Sequence, residues 1–319
     1  MKIISQLTRG GAEKFKLIRS NKNSEGHPGT PRNIGMRFAI GDYLYFMDSD
    51  DAMTKTALDE IYNLAKMFNA DLITCWDYYK TSDENIPKDK KLLKKHSDEV
   101  ENPFKSPVII PENLSERINY FCKGIFTTML WDNLVRREFI AQHEITFPKL
   151  STNEDTTFFF FSLCFAKKII AVPNIFYIWR TRNLSSSRKV RTPEDTIHMR
   201  GSAILNQIKI LDDFMNDFEF FRNNLNYKYA VMDYFTRGII NPVLDIYEQN
   251  PAWQLDRFIR RELDKIEGTT PLTAFLFNRM NVFNVNLNRQ GAIIQQMNAY
   301  IQQQNQIIQQ LQAQIKNLR

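Results

Sequence analysis

Tyr43-Leu44-Tyr45-Phe46-Met47-Asp48-Ser49-Asp50-Asp51 is the stretch on which the fold turns. Five apolar or aromatic residues run straight into four polar ones, the pattern of a short buried strand ending in a turn. Just before it, Asn33 to Ala39 has helical character and Gly41 stops it. Further back, Ser20 to Pro31 holds Gly26, Pro28, Gly29 and Pro31 and is turn-rich, and Phe15 to Arg19 is a strand candidate. After the aspartates, Thr54 to Phe68 repeats Leu58, Ile61, Leu64, Ala65 and Phe68 at helical spacing, and Asp71 to Trp76 is strand again. Strand, helix, strand, acidic turn, helix, strand is the rhythm of a parallel α/β sheet.

A strand that ends in clustered aspartates places carboxylates at the carboxyl edge of such a sheet, where α/β folds bind ligands. Asp48 and Asp50 can present hard oxygens to Mg²⁺ or Mn²⁺ and leave coordination sites for phosphate. The plainer account is an Asx turn, with Asp51 capping the helix that begins near Thr54. The two accounts are compatible. Glu154-Asp155 opens a helix directly before four phenylalanines. Acids in a first turn are favoured by the helix dipole; a general base at the edge of an apolar wall is the functional alternative. Arg180-Thr181-Arg182, with Ser185 to Ser187 behind, ends the strand Phe176 to Trp179. Arginine forks and hydroxyls suit a diphosphate, and a surface basic loop is the competing account.

The remainder of the chain divides by composition. Residues 80 to 105 carry seven Lys against six Asp or Glu, a solvated mixed-charge insertion rather than a nucleic-acid footprint. Helices are expected around Glu112 to Cys122 and from Asn153 or Glu154. Ile169 to Arg180 is a strand or a pair of strands, and from Pro193 the pattern is mostly helical. At the end, Leu287, Ile294, Ile301, Ile308 and Ile315 fall on heptad a positions, with Met297, Leu311 and Leu318 at d beside Gln290 and Gln304. This spacing predicts a coiled coil over 287–318, parallel and two-stranded, with Gln and Asn around the seam.

Composition bounds the function. The chain has 319 residues, 43% of them hydrophobic, with 24 Phe, enough for a substantial core. No apolar run reaches the length of a membrane span and no secretory h-region opens the chain, so a soluble cytoplasmic protein is expected. Cys75, Cys122 and Cys164 are odd in number and widely spaced, which argues for buried thiols rather than disulfides or a zinc knuckle. Net charge is +6, of which Arg289, Lys316 and Arg319 in the acid-free tail supply half. The body is therefore weakly basic, suited to anionic small molecules or an anionic membrane face and not to nucleic acid.

Taken in order, these pieces resemble the signature of family 2 glycosyltransferases. Pro31-Arg32-Asn33-Ile34-Gly35 is similar to the family's A-R-N-x-G, and Gly41 to Asp51 to its G-E-Y-I-x-F-L-D-S-D-D. Trp131 to Arg137 is similar to W-x-K-L-Y-R-R, Glu154 to Phe158 to E-D-x-x-F, and Tyr177 to Arg182 to Y-x-Y-R-x-R. The resemblance implies an α/β GT-A (Rossmann-like) nucleotide-sugar domain over 1–190, with the charged insertion at about 80–106. A helical region over 191–280 and the coiled-coil segment 281–319 complete the expected layout.

The resemblance also implies an inverting transfer from a nucleotide-diphosphate sugar to a hydroxyl of a glycan or lipid-linked acceptor, in surface polysaccharide synthesis at the inner face of the plasma membrane. By it, Asp155 is the base; Asp50 and Asp48 hold Mn²⁺ or Mg²⁺; Arg32, Asn33, Asp48, Arg180 and Arg182 meet the nucleotide-sugar; Trp131 and Glu154 meet the acceptor. Three features depart from the pattern. The family's opening V-x-x-Y-N strand and its D-D-G-S strand have no counterpart after Met1, so the domain is expected to be N-terminally incomplete. Pro31 replaces the usual Ala, and Asn133 the usual Lys. The incomplete start makes an inactive remnant, acting through its coiled coil, the alternative reading.

Overall fold

The apolar run at Tyr43 and the acids behind it take their places in a computed structural model that describes residues 16–18, 27–82, 93–181, 191–249, 260–262, 264–265 and 271–317. Helix α1 (Gly29–Phe38) precedes strand β1 (Tyr43–Tyr45), and the aspartate loop leads to β2 (Ala52–Met53). Then come α2 (Ala57–Phe68), β3 (Leu72–Thr81), β4 (Lys94–Lys95), β5 (Val108–Ile110), α3 (Leu114–Cys122), β6 (Asn133–Arg136) and α4 (Arg137–Gln142). Helix α5 (Glu154–Phe165) and strand β7 (Ile169–Arg180) close the sheet region. The strand expected over Phe15–Arg19 does not form at Lys16 to Ile18, which have no regular structure; its two ends lie outside the described residues.

The sheet is mixed, not parallel throughout. Its order among the described residues is β1-β6-β3-β7-β2, with β4 on β3 and β5 on β7. Strand β6 inserts between β1 and β3 and runs antiparallel to both, while β3 and β7 are parallel. The strand–helix rhythm shows which elements exist, not which become neighbours, and that is why a later antiparallel strand was missed. The directions still have a useful consequence: β1, β3 and β7 all point the same way. The loop after β1 and the end of β7 therefore share the carboxyl edge of the sheet.

On one face of the sheet, Ala57, Ile61 and Ala65 of α2 pack on Ile73, Cys75, Leu134, Ile170 and Val172. Asn69 ends α2 in the left-handed region (φ 49°). Strand β7 is a single twelve-residue strand. From the pair Cys75–Val172 to the pair Asp77–Ile175, β7 advances three positions and β3 only two, so a bulge accommodates Pro173.

Helix α5 is apolar on almost every side and buries Phe158, Phe159 and Phe160. Phe158 stacks on Phe147 at 4.1 Å, and Phe160 packs on Phe121 at 5.3 Å. At its carboxyl end, the buried Arg117 of α3 donates to the carbonyls of Leu163, Ala166 and Lys167. Those acceptors have no partner within the helix, so the arginine closes it. None of the three cysteines forms a disulfide, and Cys75 is buried.

Two compact units divide the chain, Met1–Lys189 with Met215–Val231, and Val190–Phe214 with Met232–Arg319. The later helices are α6 (Pro193–Asp217), α7 (Glu219–Asn223), α8 (Leu225–Gln249) and α9 (Pro271–Asn317). Helix α9 runs unbroken for 47 residues, about 70 Å at 1.5 Å per residue. It starts ten residues before the expected coiled-coil segment, with Pro271 in its first turn, where proline is accommodated. Leu287, Ile294, Met297, Ile301 and Ile308 are exposed along it, and so are Ile293, Tyr300 and Ile307 at the g positions. The surround is thus less polar than Gln and Asn alone. The side chains of Leu311 and Ile315, and all of Leu318, lie outside the described residues. Among the described residues no helix is long and apolar enough to cross a membrane.

Candidate functional site

Every described site candidate falls in the first unit. Helix α1 brings in Arg32 and Asn33 because Gly29 lets its first turn approach very closely. A Cβ on Gly29 would stand 2.6 Å from Phe147 Cβ and 3.1 Å from Pro148 O. One turn on, Asn33 pairs with the backbone of Phe147. Its Nδ2 donates to the carbonyl at 2.8 Å, and its Oδ1 accepts from the amide at 2.9 Å. Both ends of the amide are engaged there, which anchors α1 to Phe147.

Arg32 bridges two carboxylates. It donates to Glu154 Oε1 at 2.5 Å and to Asp48 Oδ1 at 3.4 Å, and lies 5.6 Å from the Phe147 ring centroid. Glu154, only 5% exposed, is thus tied to Arg32 rather than open toward an acceptor. Burial raises the Glu154 carboxyl above its usual range, the Asp155 charge adds to this, and Arg32 opposes it.

Asp155 sits beside Glu154 in the first turn of α5 and is partly exposed. Its Oδ1 accepts from the Thr156 amide at 2.7 Å. Burial raises its pKa, against the Thr156 hydrogen bond and the Arg32 charge. A carboxylate so raised is better matched to taking a proton near neutral pH.

The aspartate loop sorts its three acids. Asp48 is 47% exposed and Asp50 partly exposed. Asp51 turns back into the protein: its Oδ2 accepts from the Tyr177 hydroxyl at 2.6 Å and its Oδ1 from the Arg180 amide at 2.8 Å. It does not cap α2, whose N-cap is Thr56. The loop closes through its backbone rather than as an Asx turn, with the Asp51 amide donating to Asp48 O at 3.2 Å. Arg180 reaches the same loop, its guanidinium donating to Asp50 O at 3.3 Å. Arg182 and Ser185 to Ser187 lie outside the described residues.

Trp131 is a residue expected to meet the acceptor. It is 8% exposed, and one face of the indole stacks on Tyr177 at 4.3 Å and 11°. Tyr78 meets it edge-on at 4.8 Å. Tyr177 is the residue that sequence reading passed over, although it stands in the motif that supplied Arg180. Phe176, Tyr177 and Ile178 are buried in succession, so no alternation in the strand singles it out.

Among the described residues no three His, Cys, Asp or Glu side chains gather into a metal-binding cluster. Asp48 and Asp50 nevertheless have the right chemistry for Mg²⁺ or Mn²⁺, which commonly binds through one or two carboxylates and completes its shell with water and phosphate oxygens. A recess of about 450 Å³ lies elsewhere, lined by Asp77, Asp98, Glu99 and Glu101. Its sign of charge is wrong for a diphosphate.

The mixed α/β sheet, with an acidic loop and an arginine at one carboxyl edge, has a GT-A-like fold. Residues 2–126 match the family model described as glycosyl transferase family 2. Over 63 residues it is 38% identical to the poly(ribitol-phosphate) beta-N-acetylglucosaminyltransferase TarP of Staphylococcus aureus, covering 20% of this chain and 18% of that one. Over 187 residues it is 27% identical to a cholesterol galactosyltransferase of Borreliella burgdorferi, covering 56% and 49%. The chain spans about half or less of the length of these curated relatives. A crystal structure of S. aureus TarS 1–349 in complex with UDP-GlcNAc superposes with a TM-score of 0.55 at 18% identity, over 90% of this chain and 79% of that one. At that identity the likeness is one of fold.

Proposed function

We propose that the protein is an inverting glycosyltransferase that moves a sugar from a nucleotide-diphosphate sugar to a hydroxyl acceptor in surface glycan synthesis, on the cytoplasmic side of the membrane. One observation carries this reading. The partly exposed pair Asp48 and Asp50, the guanidinium of Arg180 and the first-turn acid Asp155 are linked into one constellation, Arg32 joining the loop to the helix and Asp51 joining it to Arg180.

In this reading an acceptor hydroxyl attacks the anomeric carbon of the donor, and its proton passes to the carboxylate of Asp155. The bond from that carbon to the diphosphate oxygen breaks on the opposite face, which inverts the centre. Arg180, with Arg182 beyond the described residues, holds the departing diphosphate by charge-assisted hydrogen bonds. A divalent ion held by Asp50 and Asp48 would neutralise charge on that leaving group. Trp131 contributes by backing Tyr177. Glu154 and Asn33 act by fixing Arg32 and α1.

The TarS complex makes UDP-GlcNAc the first donor to try. Titration of the full chain with UDP-GlcNAc and Mn²⁺ should show metal-dependent binding that Asp50→Asn weakens. Failure to bind or turn over any nucleotide-sugar with metal supplied would sink the reading and leave an inactive relative acting through α9.

We also propose that α9 self-associates through Leu287, Ile294, Met297, Ile301 and Ile308. Ile293, Tyr300 and Ile307 broaden this stripe beyond a strict a/d seam, which favours more than the two strands expected from the heptads alone. Sedimentation of the full chain and of a chain cut at Asn286 tests it: equal subunit numbers in both forms would refute it.

A further inference from the structure

We infer that Tyr177 and Asp51 are positioning residues of the donor site, a hydroxyl–carboxylate tether that fixes the Asp48–Asp50 loop and Arg180 as one unit. The inference rests on the donor reading above and adds to it the residues that shape the site.

Strand pairing does not hold this loop. The β2–β7 register begins at Ala52 opposite Ile178, one residue past the last aspartate. Upstream, β1 ends at Tyr45. Between those points lie the turn bond within the loop, the 3.4 Å contact of Asp48 to Arg32, and the tether. The tether makes three closer contacts. The Tyr177 hydroxyl donates to Asp51 Oδ2 at 2.6 Å and accepts from the Asp48 amide at 3.2 Å, so one oxygen spans both ends of the loop. Asp51 Oδ1 takes the Arg180 amide at 2.8 Å. The guanidinium of the same arginine returns to Asp50 O.

Tyr177 is 1% exposed and its ring is clamped by Trp131, whose carbonyl in turn accepts from the Tyr45 hydroxyl at 2.5 Å. The oxygen that organises the loop is thereby set against the end of β1. Neither tether residue is placed to touch a ligand, since the Tyr177 hydroxyl both donates and accepts inside the protein and both Asp51 oxygens accept there. Their effect on a donor passes through Asp48, Asp50 and Arg180. The third aspartate of the run therefore differs in kind from the first and third members of Asp48-Ser49-Asp50.

The test compares full-length wild type, Tyr177→Phe, Asp51→Asn and the double variant. Donor affinity is read with UDP-GlcNAc and Mn²⁺, turnover with the same donor, and amide hydrogen exchange over residues 46–53. Each single variant should weaken donor binding and raise its KM by about tenfold, as expected for loss of one hydrogen bond to a charged group. kcat at saturating donor should stay within about threefold, because Asp155 is untouched. The double variant should be no worse than the weaker-binding single, since both substitutions cut one tether. Exchange at 46–53 should quicken in Tyr177→Phe while the melting temperature changes little.

Unchanged donor affinity in both single variants, with wild type binding normally, overturns the inference. So does a loss that falls on kcat together with a lowered melting temperature, because that marks a general structural role. If wild type itself binds no nucleotide-sugar, the donor reading fails and takes the positioning role with it; the wild-type titration separates that failure from failure of the variants.

Discussion

At the carboxyl end of helix α5, Arg117 donates to the carbonyls of Leu163, Ala166 and Lys167, and its Nε to Pro111 O at 2.6 Å. At the amino end, Arg32 donates to the side chains of Glu154 and Asp48. Both arginines come from other helices and both close the same twelve-residue element. What they bind separates their roles. Backbone carbonyls at a helix end cannot leave and cannot titrate, so Arg117 is fixed for the life of the fold. Carboxylates can change protonation state, and half-exposed Asp48 can change partner, so the amino end is where ligand chemistry can enter.

The largest expected effect tests whether the amino end is the reactive one. Asp155→Asn keeps the shape of the first turn and its Thr156 hydrogen bond, yet removes the proton acceptor. Turnover should fall by about 10² to 10⁴-fold with donor affinity retained. Near-normal turnover would reassign the base, with Glu154 next in line despite its tie to Arg32.

At the carboxyl end the corresponding test is one of stability. Arg117→Met leaves buried carbonyls without donors and should cost about 3 to 5 kcal/mol in chemical denaturation. A cost below about 1 kcal/mol would mean that water or a shifted α3 replaces the arginine, and the contrast between the two ends would weaken.

The two ends were not equally legible in the sequence. Glu154-Asp155 before four phenylalanines announces a helix start with acids in its first turn, and α5 begins at Glu154. Arg117 gives no local signal for its role at α5, because its partners there lie 46 to 50 residues away and are backbone atoms that no residue pattern marks. The aspartate loop was half legible. Its position after an apolar strand was readable, but the division into partly exposed Asp48 and Asp50 and inward Asp51 depends on Tyr177, 126 residues on. The burial of Trp131 was not legible for a related reason: the ring that covers it, Tyr177, lies far along the chain. The sheet was misread as parallel because β6 reaches its place between β1 and β3 through long-range pairing.

Asp132 sharpens the comparison, as an acid that no arginine serves. It is 2% exposed; its Oδ2 accepts from Thr127 Oγ1 at 2.6 Å, and its Oδ1 has no partner. Burial pushes its pKa well above the usual carboxylate range, and the nearby Asp77 charge adds to this. The native state then holds a proton that the unfolded chain releases near pH 4. Its contribution to stability is full below that value and is lost as pH rises through the raised native pKa, at about 1.4 kcal/mol per unit for one proton. Denaturation of wild type and Asp132→Asn across this range should show a slope smaller by one proton in the variant. Identical slopes would mean that Asp132 is ionised in the native state.

The smallest effect separates the two arginines most cleanly. The positive charge of Arg32 lowers the pKa values of both Glu154 and Asp155 against the burial that raises them. Arg32→Met removes that charge, so both carboxyls bind protons more tightly in the native state. A base must be deprotonated to act, so the acid limb of the turnover profile should move to higher pH, with plateau turnover within about threefold if Arg32 only positions and tunes. Stability follows the same sign. A carboxyl raised in the native state loses its contribution as pH rises through its native pKa, so the cost of Arg32→Met should grow with pH. The cost of Arg117→Met should stay flat over the same range, because the carbonyls it leaves behind do not titrate. Denaturation of both variants at several pH values gives the two profiles side by side. A flat cost for Arg32→Met would show that its bridge to Glu154 and Asp48 is as purely structural as the closure at the other end of the helix.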